Sequence, residues 1–110
     1  MGAWGYGPLD NDTGADWMYG LSEIGLFDLI ESGITSSSYD EARAAIWLFQ
    51  QLSVSAYVYD VDRMDGHRDL AIKKIQEILN DSDWLEAWDS QSEVEAGLKS
   101  TLSQLQADNP

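Results

Sequence analysis

Apolar residues at helical spacing are the feature that most constrains the fold of this chain. After Tyr39 such residues recur every three or four positions: Ala42, Ala45, Ile46, Phe49, Leu52 and Ala56. This spacing places them on one face of a helix. Ser38 followed by Glu41 has the pattern of a capping box, so we expect this helix to begin there. We expect it to continue to about Tyr59.

The same periodicity predicts further helices towards the C-terminus. A polar turn, DVDRMDGHRD, is expected before a helix that ends near Asn80 and has its apolar positions at Ala71, Ile72, Ile75, Ile78 and Leu79. A short helix capped by Ser82 is expected to hold Trp84, Leu85 and Trp88. A last helix begins at a capping box, either Ser90 with Glu93 or Ser92 with Glu95. Its apolar stripe is Val94, Leu98, Thr101, Leu102 and Leu105.

The N-terminal part of the chain predicts one more main helix. Between Asp12 and Ile24 the acids and the apolar residues fall on opposite sides of a helical wheel, and the pattern fails after Gly25. We expect a break there, followed by a short segment, LFDLIESG, that ends at Gly33. VSAYVYDV has strand-like composition, but no second convincing strand could pair with it. The fold class is therefore all-α: a compact single-domain bundle over residues 1–110, with about four main helices plus short helices.

The opening residues, MGAWGYGPLDNDTGADW, carry three closely spaced glycines before a helix start. A phosphate-binding loop would combine backbone amides with a cation, but no Lys lies nearby and Asp10, Asp12 and Asp16 would repel phosphate. We expect an ordered Gly/aromatic segment instead, in which Trp4 and Tyr6 fold back over the first helix. This segment would serve as a hydrophobic plug.

The same opening resembles that of a small, mainly bacterial family of uncharacterised proteins, domain of unknown function four-two-five-nine. Its members start with Met-Gly, an aromatic residue, two spaced glycines and then Asn-Asp before a helix. DEARAAIWL and SDWLEAWDSQSEVEAGLKSTLSQL are also similar to later helices of that family. The resemblance implies a small α-helical domain, and it brings no known activity and no catalytic residues.

Charge is the strongest global property of the sequence. The chain has 20 Asp and Glu against 6 Lys and Arg, which gives a formal net charge of −14. No Lys or Arg precedes Arg43, and none lies between Lys74 and Lys99. Direct binding to nucleic acid or to an anionic membrane is disfavoured, because both require cations at the phosphates. We expect the protein to be soluble and cytoplasmic, because there is no signal-like segment and no long apolar run.

The residues that could carry chemistry do not form a recognisable constellation. Asp60, Asp62 and Asp65 approximate a calcium loop, but Gly66 stands one place too late and Ala71 occupies the position of the bidentate Glu. We interpret this stretch as a solvated turn in which Asp65 caps the following helix. His67, the one histidine, is expected at the surface without a partner nucleophile. Cysteine is absent. We therefore predict no enzyme activity, no cofactor and no metal.

A folded acidic chain without catalytic groups is typical of a protein that binds a basic partner. Rows of Asp and Glu can mimic a phosphate backbone, and an aromatic residue among acids suits a binding hot spot. The hypothesis is an inhibitor that occupies the nucleic-acid-binding surface of a nuclease or related complex, such as an immunity protein or a phage anti-defence protein of the anti-CRISPR type. The predicted partner-binding residues are Asp12, Asp16, Glu23, Asp81, Asp83, Trp84, Glu86, Asp89 and Glu93.

Two alternatives remain open. One is a structural or regulatory module that forms a homodimer through the stripe Val94, Leu98, Leu102 and Leu105. The other is a small enzyme or metal-binding domain that uses the turn from Asp60 to Asp69.

Overall fold

The structure is a computed structural model, and it describes residues 25–54 and 59–107. These residues form five α-helices: α1 (Leu26–Ile34), α2 (Tyr39–Ser53), α3 (Val61–Leu79), α4 (Ser82–Glu86) and α5 (Gln91–Ala107). No strand occurs in the described part, so the all-α prediction is confirmed. The predicted first helix and the Gly/aromatic opening lie outside the described residues.

The break predicted at Gly25 is present. Gly25 has a φ of 88°, a left-handed conformation that favours glycine, and α1 begins at the next residue. The segment LFDLIESG is helical, and the helix ends at Ile34, one residue beyond the predicted end at Gly33. Gly25 therefore sets the start of the first helix that the structure describes.

The prediction for the start of α2 is confirmed and the prediction for its end is wrong. The Ser38 side chain accepts a hydrogen bond from the Glu41 N–H at 3.4 Å, which is one half of a capping box. The Glu41 carboxylate accepts from the Ser36 hydroxyl instead of the Ser38 N–H. The helix ends at Ser53, with Val54 as its C-cap, and does not reach Tyr59. The apolar spacing continues to Ala56, so periodicity alone gave no stop signal.

The predicted polar turn between Asp60 and Asp69 is wrong, because this segment is the first half of α3. Asp60 is the N-cap residue, and its side chain accepts the N–H of Asp62 at 3.1 Å, so Asp65 does not cap the helix. The inward positions of this half of α3 are Met64, His67 and Arg68, which continue the helical spacing of the buried residues farther along α3. Two of the three are polar, which concealed the helical period.

The caps of the two later helices refine their predicted starts. Asp81, not Ser82, caps α4, because its carboxylate accepts the N–H of Trp84 at 3.1 Å. α5 begins at Gln91, so its start agrees with the Ser90 alternative and not with Ser92. The bonds at this end are made by the Ser90 backbone carbonyl, which accepts the N–H of Glu93 and of Val94, each at 3.1 Å.

Helix α3 lies at the centre of the described fold, because α1, α2, α4 and α5 all pack against it. α1 also packs along α2, and α4 packs on α5. The core contains side chains from all five helices, including Ile30, Phe49, Ile75, Leu85 and Leu105. Burying such apolar side chains is the main favourable contribution to folding.

The stripe proposed for homodimer formation is part of this core. Val94, Leu98 and Leu105 are each no more than 5% exposed, and Leu102 is partly buried against the same cluster. The stripe belongs mainly to the core of its own chain, so it is not the exposed apolar face that the homodimer prediction assumed. This finding corrects the role assigned to the stripe. Whether the protein forms a homodimer stays a prediction.

Among the helices of the described residues, none is both long enough and apolar enough to cross a bilayer.

Candidate functional site

Four of the predicted partner-binding acids lie on α4, in the link that follows it and at the start of α5. Asp83, Glu86, Asp89 and Glu93 are all exposed, and we call these four residues the acidic face. α4 and α5 pack on each other and Asp89 lies in the link between them, so the structure places the four acids on neighbouring elements. Asp81 is half-buried, because it is used as the cap of α4. Asp12, Asp16 and Glu23 lie outside the described residues.

The acidic face is not neutralised by the cations of the described part. Four cations pair with other acids: Arg63 with Asp28, Arg68 with Asp65, Lys74 with Glu77 and Lys99 with Glu95. Arg43 is buried, and Lys73 is exposed on α3. No ion pair within residues 25–54 and 59–107 includes a residue of the acidic face. Its negative potential is therefore directed into solvent.

An aromatic cluster with a buried arginine lies under the acidic face. Trp84 and Trp88 meet edge to face with ring centroids 5.5 Å apart, and Tyr39 contacts Trp84 at 5.6 Å. The Arg43 guanidinium lies 5.7 Å from the Trp84 ring and 5.3 Å from the Trp88 ring, within reach of a cation–π interaction. These contacts join α4 to α2. Trp84 is half-buried in this cluster rather than exposed.

The Tyr39 hydroxyl is close to two acids, Glu77 and Asp81. Burial, together with these neighbouring carboxylates, raises the pKa of Tyr39 to about 12. The hydroxyl therefore keeps its proton at neutral pH and can donate it to a carboxylate. Sequence reasoning missed Arg43 and Tyr39 as supports for this face. The predicted helix with Trp84, Leu85 and Trp88 is too long, because α4 ends at Glu86 and Trp88 lies after it.

A cleft lies between α2 and α5, with α3 as its floor. Its volume is about 270 Å³. Ile46 and Trp47 line one side, Val94 and Leu98 the other, and Ile75 the floor. Glu93 of the acidic face also lines it, so the cleft and the acidic face are continuous. We call it the α2–α5 cleft.

His67 is buried, so the prediction of a surface histidine is wrong. It is 1% exposed and forms hydrogen bonds with two partners, the Tyr59 hydroxyl at Nδ1 and Glu31 Oε1 at Nε2, the latter at 3.2 Å. A carboxylate only accepts hydrogen bonds, so Nε2 carries the proton and Nδ1 accepts from the tyrosine. The network connects Glu31 of α1 and Tyr59, two residues before α3, to His67 within α3.

Burial lowers the pKa of His67, against the opposing effect of its hydrogen bond to Glu31. A histidine whose pKa is lower in the folded state stabilises the fold fully above its unfolded pKa of 6.5. That contribution is lost as pH falls below this value towards the folded pKa. We expect the urea midpoint of the protein to decrease between about pH 7.5 and about pH 5.5.

The matched comparison for this pH dependence is His67→Gln, which lacks the titrating group. We expect the urea midpoint of this variant to change much less over the same interval. An equal decrease in both proteins would assign the acid sensitivity to other groups.

The carboxylates of the Asp60–Asp69 segment are arranged along a helix and not around a loop. Within residues 25–54 and 59–107, no group of three or more His, Cys, Asp or Glu side chains could hold a metal ion.

Together these observations define a small all-α protein with an acidic face, an aromatic cluster beneath it and an adjoining apolar cleft. Residues 2–46 match the model of a family described as Domain of unknown function (DUF4259), which confirms the predicted resemblance for that part of the chain. The match includes α1 and the beginning of α2, and it ends before the acidic face. No curated protein and no solved structure matches the chain.

Proposed function

We propose that this protein is a non-enzymatic binding protein whose acidic face contacts a basic protein surface. The observation that carries the proposal is that Asp83, Glu86, Asp89 and Glu93 are exposed and form no ion pair with a described cation. A set of uncompensated carboxylates attracts a cationic surface over long range and favours fast association.

The kind of partner follows from the chemistry of the acidic face. A protein groove that binds nucleic acid presents Lys and Arg to phosphates, and a row of carboxylates offers it a similar array of negative charge. We therefore propose an inhibitor that occludes such a groove in a nuclease or another nucleic-acid-binding complex. The proposal includes a cytoplasmic location, where such complexes are found.

The position of His67 supports a non-enzymatic function. A general acid or base must come within hydrogen-bond reach of its substrate. His67 is 1% exposed, and both of its ring nitrogens are engaged by Tyr59 and Glu31. The proposal therefore assigns this histidine to stability and not to catalysis, and it requires no cofactor.

The test compares two double charge reversals of identical net charge. Asp83→Lys/Glu86→Lys alters the acidic face, and Asp62→Lys/Asp69→Lys alters two exposed acids of α3. Asp83 and Asp62 both lie in the first turn of a helix, so their effects on helix stability are comparable. A partner is first captured from host lysate at low salt, identified by mass spectrometry and purified.

We expect the acidic-face reversal to weaken binding of the purified partner by at least about tenfold at low salt, measured by calorimetry. The α3 reversal should have a much smaller effect. Wild-type affinity should fall as salt is raised, because exposed charges are screened. Equal effects of the two reversals, or affinity that is insensitive to salt, would contradict the proposal.

Competition distinguishes an inhibitor from a simple binding protein. An inhibitor of the proposed type should displace DNA or RNA from the purified partner. A partner that binds this protein and nucleic acid at the same time would rule out occlusion.

A further inference from the structure

The α2–α5 cleft exists because two helices share a support without packing closely on each other. α2 and α5 both pack on α3, whereas their backbones do not come together along their length. At one end they are bridged by a hydrogen bond from Gln50 Nε2 to Gln104 Oε1 at 3.1 Å. On the α5 side Gly97 lines the cleft without a side chain. Beyond the backbone of its own helix, no atom lies within 4 Å of the position of a Cβ at Gly97.

The interior of the cleft suits an apolar group. Ile46, Ile75, Val94 and Leu98 are buried residues of the core that reach its surface here, and Trp47 is partly exposed beside them. A volume of about 270 Å³ exceeds the cavity of about 150 Å³ that is known to hold benzene. A leucine or phenylalanine side chain therefore fits, and burial there removes its apolar surface from water.

The charge around the cleft determines which partner can supply that side chain. Glu93 lines the cleft and belongs to the acidic face, so any chain that enters the cleft from that direction passes uncompensated carboxylates. Arg43 also lines the cleft, but it is 6% exposed and its guanidinium lies over Trp84 and Trp88. The accessible charge at this end is therefore negative. An apolar anchor bordered by charged contacts is the usual form of a binding hot spot.

We propose that the α2–α5 cleft receives an apolar side chain of a basic partner, flanked in that partner by Lys or Arg residues that meet Glu93 and the rest of the acidic face. This inference rests on the proposed function, which supplies the positive charge of the partner. It adds a specificity determinant, because charge alone does not distinguish one cationic surface from another.

The test uses two synthetic peptides that differ at one residue. The sequences are Lys-Lys-Phe-Lys-Lys and Lys-Lys-Ser-Lys-Lys, both acetylated and amidated, and each is titrated into the ¹⁵N-labelled full chain. We expect both peptides to shift amide resonances of the acidic face. The Phe peptide alone should also shift Gly97, Leu98 and the Trp47 indole, and it should bind about tenfold more tightly than the Ser peptide.

A pair of glycine variants tests the location. Gly97→Leu places a side chain into the cleft, and Gly66→Leu makes the same change at an exposed glycine of α3 that also has open space around it. Both substitutions improve helix propensity, so both variants should fold. We expect Gly97→Leu to remove the advantage of the Phe peptide over the Ser peptide and Gly66→Leu to preserve it.

Each other result overturns the inference in a distinguishable way. If both peptides bind the acidic face with equal affinity, or if the two leucine variants behave alike, the cleft has no anchoring role and the proposed function stands. If neither peptide binds, the proposed function is contradicted as well. A much lower melting temperature for Gly97→Leu than for Gly66→Leu would show that the protein's own chain fills the cleft. A dimer that only Gly97→Leu dissociates would identify a second copy as the occupant.

Discussion

Replacing Phe49 with alanine is expected to reduce the free energy of unfolding by about 3–5 kcal/mol, the usual cost of removing a fully buried phenylalanine. Phe49 is 1% exposed in α2. Its ring meets Tyr59 edge to face at 5.2 Å and lies 6.5 Å from the His67 ring. The Arg68 guanidinium is 6.0 Å from it. The substitution would remove these contacts of the Phe49 ring with Tyr59, His67 and Arg68.

Denaturant unfolding followed by circular dichroism measures this effect. The control is Val61→Ala, an apolar residue at the start of α3 that is 59% exposed, for which we expect a change within about 0.5 kcal/mol. A loss of less than about 1 kcal/mol for Phe49→Ala would mean that this residue does not occupy a tightly packed site.

The second large effect is expected at the buried hydrogen bond between Tyr59 and His67. Tyr59→Phe keeps the ring contact with Phe27, at 4.7 Å, but leaves the Nδ1 atom of His67 without its donor. His67→Leu leaves the Tyr59 hydroxyl without its acceptor. Each single substitution should destabilise the protein by about 1–3 kcal/mol, because a buried polar group without a partner loses its hydration uncompensated.

The double variant Tyr59→Phe/His67→Leu reveals the coupling. It should cost less than the sum of the two single variants, by about 0.5–3 kcal/mol, because it removes both partners of the hydrogen bond. Glu31→Gln serves as the control, since it keeps an acceptor for the Nε2 proton on a side chain that is half exposed. Strict additivity of Tyr59→Phe and His67→Leu would contradict a direct hydrogen bond between them.

Both large effects concern residues that hold α3 in place, and α3 also supports the candidate site. The α2–α5 cleft has Ile75 of α3 as its floor, and α4 and α5 pack on the same helix. Variants of the acidic face should therefore bind more weakly with little loss of stability. Variants of Phe49 or His67 should instead have a lower free energy of unfolding, and any loss of binding should follow from that.

The helices could be predicted from sequence where the positions that face the core are occupied mainly by apolar residues. α2 and α5 were located by their periodicity, and the starts of both were marked by a serine three residues before a glutamate. The first half of α3 could not be found this way, because His67 and Arg68 occupy inward positions. A polar residue at an inward position looks like part of a loop until its buried partners are known.

The candidate site, too, could be predicted from the sequence only in part. The run of acids without cations from Asp81 to Glu95 was evident from the sequence, and the exposure of Asp83, Glu86, Asp89 and Glu93 agrees with it. The cleft was not predictable, since its residues come from three helices. Its volume depends on the separation of α2 and α5 across α3.

The sequence by itself determined the helical class, the break at Gly25 and the negative charge, because these depend on local spacing, on backbone conformation and on composition. Only the tertiary structure decided three other features: the burial of His67 between Tyr59 and Glu31, the packing of the Val94–Leu105 stripe on α3, and the cleft beside Glu93. The physical reason is that these features arise from contacts between residues far apart in the chain. Whether a polar side chain is satisfied or an apolar stripe is covered depends on which helix lies opposite it.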